Sequence, residues 1–222
     1  MLKFLLSFGV RKSRKNTSSF ITQAEYKEIM NYARVRNIKL EGFKRFSGDI
    51  AIIKEMLDDV VVIAKDFPRI LTDRKSLVVS LNENLLESDF ATTIGHVISI
   101  NKKIFDDKDY LEKEYDLLAD VGTFVKGTNY RSIIRHEIGH VVANIYCLPT
   151  LEIAKFVLNL ECEEEIYKYV IENLSLYAAE YEDGVEFISE SFSAYYSGVE
   201  NAFAREYIYK CKSMAKEEII YD

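Results

Sequence analysis

His136, Glu137 and His140 are the residues whose types and spacing could do chemistry together. They stand in the run His136-Glu137-Ile138-Gly139-His140. In a helix, positions i and i+4 lie one above the other on the same face. Two imidazoles so placed can grip one metal ion, and an H-E-x-x-H helix is suited to zinc. The carboxylate beside the first His can then take a proton from a water that the ion activates. The chain has 3 His, so two of them falling at this spacing favours a built site over two solvated side chains.

A catalytic zinc usually takes three protein ligands and keeps one position for water. The remaining His, His96, falls on an expected strand and reads as a polar edge residue rather than a ligand. The stronger candidates are Glu186 and Glu190, spaced i and i+4 so that both carboxylates share a face. Like charges at that spacing mildly destabilise a helix unless a cation lies near. Zinc, with a His N–H held by the second carboxylate, would relieve the repulsion. Two solvated acids account for the spacing equally well, because the chain carries 36 Asp and Glu.

Elements must hold these residues in place. Thr22 can cap a helix over 23–36, and a short alternating strand follows over 38–43. Asp49 opens a helix over 50–66 that Pro68 closes. Residues 77–81 read as a core strand. Residues 90–100 read as another, broken at Gly95 by a bulge or by the close approach of another chain. A helix is expected over 107–121. Thr128 or Asn129 then caps the motif helix, 130–146, with Ile134, Ile138, Val141 and Ile145 as its buried stripe. Further helices are expected over 150–159, 161–177, 185–196 and 201–218. The fold class is α+β, mostly helical, with a small mixed sheet whose edge strand flanks the motif helix. Residues 1–40 read as an arm and helix appended to a main domain over 41–222.

Bulk properties narrow the class. A hydrophobic share of 48% and a charged share of 29% describe an ordinary soluble globular chain. A net charge of −7 argues against nucleic acid as a partner. Cys147, Cys162 and Cys211 are odd in number and scattered, which argues against a disulfide framework and for a reducing compartment. The apolar run over residues 1–10 is too short to span a bilayer, and the basic stretch after it is in the wrong order for secretion. No other stretch reads as transmembrane, and the composition sets no oligomeric state.

Val185-Glu186-Phe187-Ile188-Ser189-Glu190-Ser191-Phe192 resembles the E-[YF]-F-A-E-x-F block that follows HExxH in lethal-factor-like metallopeptidases. That block is shared with Pro-Pro endopeptidases and phage head-morphogenesis proteins. Ile98-Ser99-Ile100-Asn101 is similar to the phage-associated branch's I-x-L-N strand. Lys126-Gly127-Thr128 ahead of Ile133-Ile134-Arg135-His136-Glu137 resembles its G-T-x-x-x-I-I-x-H-E approach, and Ser175-Leu176-Tyr177-Ala178 its S-x-Y-A element. The likeness covers roughly residues 42–198.

The resemblance implies a zincin-like domain with Zn2+ on His136, His140 and Glu186. It implies Glu137 as the base, Glu190 behind a zinc His, and Tyr177 at the oxyanion. The separation of Tyr177 from Glu186 is longer than the family's, which keeps Tyr181 as the alternative. The family's edge strand pairs with extended substrate, which here implies Gly95, His96, Val97, Ile98 and Ser99. The expected activity is zinc-dependent hydrolysis of peptide bonds in a protein or peptide bound as a strand. The rival is a phage head or virion component, or a toxin-like protein, with a structural or conditionally active zinc. The expected setting is cytoplasmic or virion-associated, or that of a delivered effector.

Overall fold

The computed structural model describes residues 19–72, 76–181 and 183–218. The apolar run and basic arm expected over residues 1–18 lie outside them.

The first helix, α1 (Gln23–Arg34), begins as its sequence dictates. The Thr22 hydroxyl accepts from the Glu25 N–H, and the Glu25 carboxylate accepts from the Thr22 N–H. This capping box satisfies two groups that the first turn would otherwise strand. After β1 (Ile38–Glu41), Asp49 caps α2 (Ile50–Ala64) through the Ala51 N–H. The chain continues through α3 (Arg69–Thr72), β2 (Leu77–Asn82), β3 (Ala91–Ile94), β4 (Val97–Asn101), α4 (Lys102–Phe105) and α5 (Lys108–Asp120). The motif helix is α6 (Ser132–Ile145), followed by α7 (Thr150–Leu158), α8 (Glu163–Asn173), α9 (Val185–Tyr196) and α10 (Ala202–Glu218). The α+β class and the small mixed sheet are as expected.

The sheet order is β1-β2-β4-β3, with the first three strands parallel and β3 antiparallel to β4. The strand expected over 90–100 is a hairpin. It turns at Gly95 and His96, where Gly95 takes φ +61, a conformation that a tight hairpin turn asks of glycine. The edge strands are therefore β1 and β3, and β3 is the one beside α6. Val97, Ile98 and Ser99 lie in β4, hydrogen-bonded on both sides, so Gly95 to Ser99 do not form the expected pairing edge.

Side chains alternate across the pleat, and one face is covered. Leu40, Val79 and Ile98 stand in register across β1, β2 and β4, all buried. Thr93 of β3 ends this row, where the sheet meets α6. Ile29 and Ala33 of α1, with Ile38 and Leu40 of β1, join the same core as Ile138 and Phe192. The boundary expected at residue 40 thus falls inside β1, and α1 contributes Ile29 and Ala33 to this core.

Two local expectations are corrected. The helix expected over 161–177 stops at Asn173, because Leu174 leaves helical backbone at φ −120, ψ −78. A 3-10 turn over Tyr177–Ala179 follows, opened by the Ala178 N–H donating to Ser175 Oγ at 3.1 Å. At the start of α6, neither Thr128 nor Asn129 is the cap residue. Asn129 Oδ1 accepts from the Arg131 N–H one step earlier, and Thr128 Oγ1 donates to the Val125 carbonyl. Among the described residues no single helix is long and apolar enough to cross a membrane.

Candidate metal centre

The site forms where α6 crosses α9. The two backbones come so close that a Cβ on Gly139 would lie 2.7 Å from Ser189 Cα. Glycine is required there, and the close approach brings Glu186 and Glu190 onto the His face of α6. Ile134, Ile138, Val141 and Ile145 are buried as expected, which fixes the rotation of α6.

Three ligand atoms converge. His136 Nε2 and His140 Nε2 are 3.2 Å apart, and Glu186 Oε2 lies 3.1 Å from the first and 3.4 Å from the second. Donors about 2.0–2.1 Å from a shared zinc at tetrahedral angles would stand about 3.3 Å apart. Glu186 Oε2 is buried and has no hydrogen-bond partner, an orphaned acceptor that a cation would satisfy. Among the described residues these three make the one group of His, Cys, Asp and Glu able to hold a metal ion.

Glu190 does a different job. Its Oε1 lies 2.8 Å from His136 Nδ1, and its Oε2 accepts from Ser175 Oγ at 2.7 Å. A carboxylate only accepts, so Nδ1 carries a proton, and Nε2 is the nitrogen that faces the centre and offers a lone pair when the ring is neutral. Burial opposes charge on His136, but the Glu186 and Glu190 carboxylates outweigh it and raise its pKa well above 6.5. Burial likewise opposes charge on Glu186, and the two imidazoles outweigh it, drawing the carboxyl down to about 2.

Glu137 follows His136 on α6 and is buried. Thr93 Oγ1 donates to Glu137 Oε2 at 2.6 Å. The Tyr177 ring lies 5.6 Å from the His136 ring, edge-on to Phe124. Burial raises the pKa of Tyr177, and the nearby Glu186, Glu180 and Glu137 carboxylates push it further, so it stays protonated. Tyr181 is 51% exposed, so the structure brings Tyr177 rather than Tyr181 against the His pair. His96 sits at the hairpin turn, outside the ligand group.

Sequence reasoning missed the supports. Asp59 of α2 receives a two-pronged contact from Arg131, at 2.8 and 2.7 Å, and a third bond from Arg135 at 3.0 Å. Arg135 also donates to Ser197 at 2.6 Å, tying the start of α6 to the end of α9. Thr93 carried no usable signal, because alternation would turn the apolar Ile94 inward and Ile94 is the exposed neighbour. The Asp59 cluster carried none either, because its members are far apart in the chain.

No known family model, curated protein or solved structure matches the chain.

Proposed function

We propose that the chain is a zinc-dependent endopeptidase that hydrolyses peptide bonds of a protein substrate. One observation carries the reading. Two imidazole nitrogens and an orphaned carboxylate oxygen form a triangle of 3.1, 3.2 and 3.4 Å beside an unligated glutamate. A three-membered ligand group suits a catalytic site, which keeps a position for water, better than a closed structural one.

His136, His140 and Glu186 would hold the ion, and Glu190 would orient His136. Zinc there supplies a Lewis acid that acidifies water and polarises a carbonyl. Glu137 takes the proton from the attacking water and passes it to the leaving amine. Tyr177, held protonated, donates to the developing oxyanion. The peptide enters as an extended strand along β3, the free edge beside Glu137.

The test is cleavage of a peptide library by the full chain, with zinc and with a chelator. Chelator-sensitive cleavage supports the reading. Glu137→Gln should retain zinc and lose about 10²–10⁴ in kcat, the range for a general base. Cleavage at the wild-type rate by that variant would refute the mechanism.

A further inference from the structure

Thr93 contributes one hydroxyl proton; Glu137 Oε2 at 2.6 Å is its near acceptor, and the Glu137 carbonyl stands farther off at 3.4 Å. The two residues are brought together by the sheet register, which ends the buried row Leu40, Val79, Ile98 with Thr93 at the edge. We propose that Thr93 is a positioning residue for Glu137: its hydroxyl holds one carboxylate oxygen so that the other alone handles the proton. The proposal rests on the endopeptidase reading above.

A carboxylate free to rotate would offer either oxygen to water and collect the proton on either. With Oε2 accepting from Thr93, the proton taken from water settles on Oε1. Oε2 remains an acceptor in both protonation states, so the contact survives the proton's arrival and departure. Threonine is suited to this, because its branched Cβ restricts χ1 and aims the hydroxyl.

The same residue also faces the substrate edge. The Asn101 N–H donates to the Phe90 carbonyl at 2.9 Å, which sets the phase of the antiparallel ladder. Thr92 with Ser99 and Ile94 with Val97 are then the hydrogen-bonded pairs, and Ala91 and Thr93 turn their backbone N–H and C=O to the free side. A peptide pairing with the Thr93 backbone is thereby held in register with the carboxylate that the Thr93 side chain fixes. One residue aligns both the strand to be cut and the base that serves the cut.

Two measurements on the full chain test this. In metal-free protein, Thr93→Val should lower Tm by about 3–6 °C, as loss of a hydrogen bond to a charged group in a domain of this size does. In a Glu137→Ala background the same change should have little effect. In zinc-loaded protein, Thr93→Val should lower kcat about tenfold, with KM within about twofold and zinc content unchanged. Thr93→Ser, which keeps the donor, should restore most of the rate. Equal Tm losses in both backgrounds would overturn the contact, and an unchanged kcat would overturn the positioning role. A zinc-loaded wild type that cleaves no peptide overturns the endopeptidase reading, and this role with it, whatever the unfolding measurements give.

Discussion

At the scale of the residue, Glu186 and Glu190 share a type, a helix and a face, yet their surroundings divide them. Both oxygens of Glu190 are engaged, by His136 and Ser175, whereas Glu186 leaves Oε2 unpartnered between two imidazole nitrogens. Glu186→Ala should abolish tight zinc binding. Glu190→Ala should weaken it about 10–100-fold, the usual cost of losing a ligand's supporting group. Equal zinc affinities in the two variants, measured by competition with a chromogenic chelator, would refute this division.

The same pair sets a pH dependence for the metal-free protein. Glu186 is depressed to about 2, so its stabilisation is present above about 4.5 and lost as pH falls towards 2. His136 is raised, so its stabilisation is full below 6.5 and lost as pH climbs through its folded value. The cluster should therefore stabilise the metal-free chain most between pH 4.5 and 6.5. Zinc, which needs neutral imidazoles, should extend that window upward. Thermal unfolding across pH, with and without zinc, checks both. Residue types and spacing made this part of the site legible, because i,i+4 geometry is local. Thr93 was not legible as a partner of Glu137, since only the hairpin brings them together.

At the scale of the element, the crossing of α6 and α9 decides whether a site exists. A methyl at Gly139 would meet Ser189 Cα at 2.7 Å, and backbone cannot step aside as a flexible side chain can. Gly139→Ala should force the helices apart, destabilise the fold by about 1–3 kcal/mol, and weaken zinc binding as Glu186 recedes. Denaturant unfolding and zinc titration of that variant are the measurements, and an unchanged affinity would show that the separation is not critical. Hydrophobic periodicity made both helices legible. The 90–100 segment was misread because Gly95 in a strand pattern fits a bulge as well as a turn, and only pairing partners distinguish them. The helix expected over 161–177 ended early for a related reason: Ser175 spends its hydroxyl on a turn that no periodicity records.

At the scale of the molecule, the three candidate ligands come from two helices of one core. A metal that binds only the folded state stabilises it by mass action, by about 4 kcal/mol at a thousandfold excess over Kd. Zinc at that excess should raise Tm by about 8–16 °C in a domain of this size, and a chelator should reverse the shift. Calorimetry with and without chelator tests this, and coincident transitions would count against a resident zinc. The α+β class followed from the alternation of helical and strand periods. Residue 40, expected as a boundary, lies within β1, and no local pattern along the chain records which core a helix joins.

The crossing at Gly139 and Ser189 also imposes an order of events in synthesis. The two imidazoles of α6 are complete while α9 is still unmade, and a pair of nitrogens grips an ion far more weakly than three donors do. If the chain is the zinc enzyme proposed above, tight metal capture would wait for α9 to emerge and dock. A nascent chain arrested ahead of Val185 would then carry the whole HEIGH helix and still hold zinc poorly, so most of the polypeptide would be made before the centre could load.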